Sequence, residues 1–328
     1  MLSKKFSKAC SNVCVFTPFE HAGKIIESFL NIHVSETTLM KIVNKAGEKI
    51  YQDFNNKEVS KQIKNSSKII YIQSDGSMVP TIGEEKIEYK ENKLGLVFSD
   101  RDIKERKRKN GEKEIEIKNK RFVSSLGKGV EEFQNMLFKA AKIKGSEKCQ
   151  TLIFLTDGAA WLKNIKHKHF KNAIHILDWY HAVEHLWQTA NVLFGEENKK
   201  KSEEWVNPLK EKLWTGEIST VINYITEMAK KEKNSSKSTS LFNLRTYYVN
   251  NQNNMKYNYY RKQGYYIGSG AIESANKYIV SNRLKMSGMR WTIKNANSLI
   301  WLRCKYFEEK WDHFWDNVFL PDLYNQAS

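Results

Sequence analysis

Residues 68–80, KIIYIQSDGSMVP, decide the reading of the fold. An apolar, β-branched run leads into an acid and a glycine, which reads as a strand ending in an Asp75-Gly76 turn. The same arrangement returns at 151–161, TLIFLTDGAAW, where Asp157-Gly158 closes a second apolar run. A third acid, Glu273, sits in 266–291, YIGSGAIESANKYIVSNRLKMSGMRW, which reads as a Gly-rich turn opening a basic helix. Carboxylates at the ends of neighbouring strands, joined by one from a helix, are hard oxygen donors suited to two Mg²⁺ ions and phosphodiester chemistry. An Asp-Gly pair taken alone reads first as an ordinary turn with no chemistry, and Glu273 alone is equally a first-turn acid favoured by the helix dipole.

Working outward, residues 86–99 and 114–124 alternate as two further strands, and RDIKERKRKNGEKE (101–114) reads as a charged hairpin loop turning at Asn110-Gly111. Residues 128–143 form an amphipathic helix. TLIFLT is the fourth strand and AIHILD (173–178) the fifth, with a short helix containing Trp161 between them. Three strands in hairpins, then helix, strand, helix, strand, is the order of an RNase H-like mixed five-stranded sheet with flanking helices, in the α/β class. Asp75 is expected at the C-terminal end of the central strand, where Gly76 lets the backbone turn sharply. Residues 182 to about 262 read as helices, with KKEKNSSKSTS (230–240) as a loop. The gap from Asp157 to Glu273 is far longer than a compact RNase H-like core requires, which implies an all-helical insertion.

Ahead of the sheet, residues 18–53 read as two helices across a short turn, with Ser35 as an N-cap. A helix-turn-helix and a plain helical hairpin fit this pattern equally. The expected organisation is a small N-terminal helical module (1–55), a polar linker (56–67), a first part of the catalytic core (68–181), the helical insertion (182–265) and final core helices (266–328).

The 328 residues carry 54 Lys and Arg against 37 Asp and Glu, a net charge of +17, which favours a polyanionic partner such as nucleic acid over a merely solvated basic surface. No apolar stretch is long enough to span a membrane, and the N-terminus lacks a signal-peptide core. Four cysteines are few. Cys149 and Cys304 read as buried thiols, and the Cys10-x₃-Cys14 pair lacks the further ligands a zinc site needs. Reduced, cytoplasmic chemistry fits best.

The segments SDGSMVPTI, KLGLVFS, LTDGAAW, ILDWYHAVEHLW (176–187) and 266–291 together resemble bacterial insertion-sequence transposases of the DDE class, specifically the ISKra type, in family order over most of the chain. The resemblance implies that Asp75, Asp157 and Glu273 bind two Mg²⁺ (or Mn²⁺) ions. It further implies that the chain cleaves double-stranded DNA at element ends and transfers the freed 3′-OH into target DNA, without a covalent protein–DNA intermediate. It also implies a dimer or higher assembly on DNA, a nucleoid-associated location, and more sequence ahead of residue 18 than is present here. Asp178 and His181 resemble the [C/D]-x₂-H element also seen in Mutator-like transposases, with His181 touching the scissile phosphate or orienting a metal-bound carboxylate; a structural histidine fits the residues as well. Lys277, Arg283, Lys285 and Arg290 are candidates to line a DNA groove. Trp291 can stack on a displaced base or pack in the core, and the core is the safer assignment.

Two other functions compete. His181-Ala182-Val183-Glu184-His185 spells H-x-x-E-H, an inverted zinc-peptidase motif in which both histidines share a helix face. That reading leaves the three acidic motifs unexplained. The other is a catalytically silent, DNA-binding remnant of a transposase.

Overall fold

The computed structural model describes residues 3–58, 67–84, 86–107 and 113–319, so most of the expected linker and the Asn110-Gly111 turn lie outside the described residues. The chain forms two compact units, Met1–Leu152 with Ala271–Ser328, and Ile153–Gly270.

The first unit opens with three helices, α1 (Lys4–Phe16), α2 (Phe19–Leu30) and α3 (Glu36–Asn56). The first was not expected from the sequence. Ser3 caps it and Ser35 caps α3, each accepting from the backbone N–H three residues on. Strand β1 (Ile69–Ile82) pairs antiparallel with β2 (Ile87–Ser99), which pairs antiparallel with β5 (Arg121–Leu126). Between them, β3 (Ile103–Lys107) and β4 (Lys113–Ile117) make a separate ribbon. The single strand expected at 114–124 is therefore two. Asn119 breaks it in a left-handed conformation (φ 44°), held by its side chain on Asp102 and by Lys144 on its carbonyl. Helix α4 (Val130–Lys144) lies on this sheet, its Leu137 and Phe133 against Gly95, which has no side chain to keep them away. The unit closes with α11 (Gly270–Ala275), a π-helical turn (Asn276–Ser281), α12 (Asn282–Leu284), α13 (Ile293–Phe307) and α14 (Trp311–His313), which runs into a second π-helical turn (Phe314–Val318).

Helix α3 packs along α13, with Leu39, Val43, Ala46 and Ile50 buried. The two backbones meet at Gly47, where a Cβ would stand 2.1 Å from the Ser298 carbonyl oxygen. Tyr51 and Phe54 close on Trp301, with ring centroids 5.5 and 5.4 Å away. Residues 18–53 are thus two helices of which the second is a packed core element. The aromatic C-terminal segment also packs inward, with Trp301, Phe314 and Trp315 buried. Cys10, Cys14 and Cys304 are buried free thiols, whereas Cys149 is only half-buried. Burial pushes the Cys10 thiol up to about 11 and that of Cys14 to about 12, away from the thiolate a metal needs.

The second unit holds most of β6 (Thr151–Thr156) and β7 (Ile174–Leu177), paired in parallel, with α5 (Ala160–His169) connecting them. Helices α6 (Trp179–Phe194), α7 (Lys199–Thr215), α8 (Ile218–Lys231), α9 (Ser235–Asn251) and α10 (Tyr257–Lys262) follow. The loop expected over 230–240 shrinks to three residues, because Asn234 accepts from the Lys237 N–H and starts α9 there. Among the described residues, five of the strands form one sheet in the order β5-β2-β1-β6-β7, the mixed α/β sheet with flanking helices expected for an RNase H-like fold. Among the described residues, no helix is long and apolar enough to cross a membrane.

Candidate active site

Asp75 does not end a strand. It lies in the middle of β1, opposite Leu94, and the pairing continues through Gly76 opposite Lys93 to Ile82 opposite Ile87. The ladder with β2 satisfies the backbone beyond the Asp-Gly pair, so no turn is needed. What Gly76 supplies is room, since a Cβ would lie 2.5 Å from Glu91 Oε1.

Gln73 and Asp75 are two apart on β1 and therefore share a face of the sheet. Both reach the segment that carries Glu273. The buried Gln73 side-chain oxygen accepts from the Ile272 N–H at 3.1 Å. Asn276 donates from Nδ2 to Asp75 Oδ2 at 2.6 Å, while Asp75 Oδ1 accepts from the Gly76 N–H at 2.7 Å. Two residues of strand and four of helix advance the chain by similar lengths, about 7 and 6 Å, so the two bonds run in step. They pin the first turn of α11, where Glu273 is exposed and Asp75 half-buried. The helix widens into its π turn at Asn276, the residue that holds Asp75. Sequence reasoning missed Gln73 and Asn276. Their signal was periodicity: one sits a strand repeat before Asp75, the other about one helical turn after Glu273.

In the second unit, Asp157 follows the last residue of β6, and here the expected turn exists, with Gly158 at φ 93°. Asp157 Oδ1 accepts from the Ala159 N–H at 2.9 Å, and Tyr247 donates its hydroxyl to the Asp157 carbonyl at 2.8 Å. Burial first, then the Asp157 charge, holds the Tyr247 hydroxyl well above its ordinary range. Thr156 Oγ1 contacts His175 Nε2 at 2.9 Å, and burial pushes His175 down to about 4.

Asp178 is fully buried and caps α6. One carboxylate oxygen accepts from the N–H groups of Tyr180 (3.1 Å) and Ser269 (2.9 Å). The other accepts from the His181 N–H (3.1 Å) and the Ser269 hydroxyl (2.6 Å). The carboxylate ties the start of α6 to the Gly268-Ser269-Gly270 turn, and the Trp179 N–H adds a bond to the Ile267 carbonyl at 3.0 Å. Gly268 passes so close to Tyr180 that a Cβ would lie 2.6 Å from its ring. His181 Nδ1 meets Glu184 Oε2 at 3.1 Å and the side chain is one-third exposed. His185 is packed instead on the Tyr247 ring, with centroids 4.0 Å apart, and burial lowers its basicity. Within H-x-x-E-H, Glu184 therefore engages the first histidine, and the second lies against an aromatic ring.

The basic segment divides by burial. Lys277, Lys285 and Arg290 are exposed. Lys285 lies close enough to feel the Asp75 charge, though burial is the larger influence and lowers its basicity. Lys285 and Arg290 border a cavity of about 390 Å³ with Met78, Pro80 and Tyr89, and none of its lining residues is acidic. Arg283 corrects the sequence expectation. Its side chain is fully buried, donates from Nε to the Cys14 carbonyl at 3.2 Å, and lies over Phe19 and Trp291. An arginine enclosed in this way packs α12 onto α1 and presents no donor to a DNA groove. Trp291 is core, its indole N–H donating to the Leu284 carbonyl at 3.0 Å.

Residues 7–311 match the family model described as an uncharacterised protein family, UPF0236. No curated protein matches the chain. Among solved structures, the Drosophila P element transposase strand transfer complex aligns over 97% of this chain and 81% of that one, at 10% identity and a TM-score of 0.33.

Proposed function

We propose that this chain, which belongs to the uncharacterised protein family UPF0236, is a DDE transposase of the bacterial insertion-sequence kind that its motifs resemble. It would cut double-stranded DNA at element ends and transfer the strands into target DNA. Asp75, Asp157 and Glu273 are the proposed metal-binding acids, and His181 is the proposed contact to the scissile phosphate.

The observation that carries the reading is the double tie from Gln73 and Asp75 of β1 to Ile272 and Asn276. It holds the Glu273 turn against the strand that carries Asp75. A strand acid hydrogen-bonded to the helical segment that bears a second acid is the kind of fixed scaffold a divalent-cation site uses. The donor chemistry fits Mg²⁺ or Mn²⁺: the three side chains are carboxylates, and Asp75 and Asp157 each have one oxygen oriented by a backbone N–H. When bound, two such ions supply Lewis-acid stabilisation of the attacking and leaving oxygens of an in-line displacement. The protein's own parts position and charge the site. Asn276 orients Asp75, Tyr247 steadies the Asp157 turn through its carbonyl, and Asp178 holds the start of α6 beside the turn that precedes α11. Lys277, Lys285 and Arg290 offer exposed cations to the DNA backbone. Assembly as a dimer or larger complex on paired DNA ends belongs to the same proposal.

The test is Mg²⁺- or Mn²⁺-dependent nicking and strand transfer on DNA carrying the element's own ends, for wild type and Asp157→Ala. Activity in wild type that is lost in the variant or on chelation is the expected result. Binding without cutting in wild type would leave a DNA-binding remnant, and equal cutting by both proteins would place the chemistry elsewhere.

A further inference from the structure

The π-helical turn Asn276–Ser281 holds Asp75 through Asn276, and the turn is itself held from α13. Its ladder reaches back five residues, with the Asn282 N–H on the Lys277 carbonyl. Such turns are rare and occur mostly as single-turn bulges in α-helices. Two carbonyls inside this one have a donor from outside the helix. Arg303 donates from Nε to the Ile279 carbonyl at 2.6 Å and from Nη2 to the Tyr278 carbonyl. One turn further along α13, Phe307 closes on the Tyr278 ring, with centroids 4.5 Å apart, and stacks under the Arg303 guanidinium.

Arg303 is 2% exposed, and among the described residues no carboxylate pairs with it; the charge that acts on it most is another cation, Arg283. A buried, unpaired cation is expensive unless its donors are used, and here the π turn supplies the acceptors. The chain is pinned on both sides of that turn. Ahead of it, Gln73 and Asp75 hold Ile272 and Asn276 to β1. Behind it, the buried Arg283 donates to the Cys14 carbonyl and the Trp291 indole to the Leu284 carbonyl. The wider turn takes up one residue more than an α-helix and so fits the chain between these anchors. If it tightened to an α-helix, one side would rotate by about 100° against the other. The rear anchors are buried in the core, whereas Asp75 is half-buried, so the slip falls on the Asp75–Asn276 bond.

We infer that Arg303 is a positioning residue: by holding the π turn, it places Asn276 on Asp75 and keeps the Glu273 turn against β1. Its consequence for metal binding rests on the proposed roles of Asp75 and Glu273; the holding of the turn does not.

The experiment uses the full chain as wild type, Arg303→Met, Asn276→Ala and the double variant. Amide hydrogen exchange, read by mass spectrometry without metal, is expected to run about tenfold or more faster over 272–284 in Arg303→Met, with α3 and β2 as in wild type. Unchanged exchange there, or a uniform rise over the whole chain, overturns the inference. If Arg303→Met does not fold, Arg303→Lys, which keeps the charge and loses the forked donor, carries the same comparison. Mn²⁺ titration followed by electron paramagnetic resonance is the second readout. Each single variant is expected to bind Mn²⁺ about tenfold more weakly, and the double variant no more weakly than either, because both act through one bond. Additive losses would make Arg303 merely structural and overturn the inference. A wild type that binds no Mn²⁺ refutes the metal-binding roles of the acids, and the exchange result then decides the role of Arg303 alone.

Discussion

Replacing Asp178 tests whether one buried carboxylate joins α6 to the turn ahead of α11. Its oxygens receive four hydrogen bonds, of 2.6 to 3.1 Å, and no part of it is exposed. In Asp178→Ala the N-cap is lost, which costs about 1 kcal/mol. The Ser269 N–H and hydroxyl lose a charged acceptor in a buried setting, at about 1–3 kcal/mol each. Some of these donors will find water in the space left behind, so about 3–5 kcal/mol is the expected total. Asp178→Asn behaves differently. Its oxygen keeps two N–H donors and its Nδ2 can donate to Ser269 Oγ, so only the His181 N–H is orphaned, at about 1–2 kcal/mol. Urea unfolding of wild type, both variants, Ser269→Ala and the Asp178→Ala/Ser269→Ala double variant supplies the numbers, with a coupling above about 1 kcal/mol expected for the pair. An Asp178→Ala cost below about 1 kcal/mol, or strict additivity with Ser269→Ala, would refute the tie.

The two Asp-Gly pairs should respond in opposite ways. Gly158→Ala introduces a side chain at φ 93° with Leu177 at 3.0 Å and is expected to cost about 2 kcal/mol or more. Gly76→Ala meets only the mobile end of Glu91 and should cost less than about 1 kcal/mol by the same urea assay; similar losses at both sites would contradict the extended geometry of Gly76. Gly47→Ala must push α3 off α13, because its Cβ has the Ser298 backbone 2.1 Å away, and a thermal midpoint unchanged from wild type would rule out that crossing. His175 is held neutral, its pKa lowered to about 4 from the ordinary 6.5 by burial. The unfolded chain therefore binds a proton between those values that the folded chain does not. His175's contribution is complete above about pH 6.5 and is lost as pH falls toward 4. Denaturant midpoints for His175→Gln that fall as steeply as wild type across that window would assign the acid sensitivity to another group.

The sequence by itself determined the order of most elements and the turn after β6 that carries Asp157. Apolar runs of strand length, amphipathic stretches of helix length and capping residues such as Ser35 are local signals, set by neighbours a few residues away. They were enough to place β1, β2, β6, β7 and α4, and the Gly158 turn after β6. Tertiary structure alone decided what depends on partners distant in the chain. Asp75-Gly76 reads locally as a turn, yet the ladder with β2 keeps it extended. Arg283 reads locally as a DNA contact, yet α1 and Trp291 enclose it. Asn119 splits an apparent strand because Asp102 and Lys144 hold it from outside. Gln73 and Asn276, which hold the strand acid and the helix turn together, are nearly two hundred or more residues from their partners. The spacing of each from its neighbouring acid is local, but the bonds themselves join residues that no window of sequence holds together.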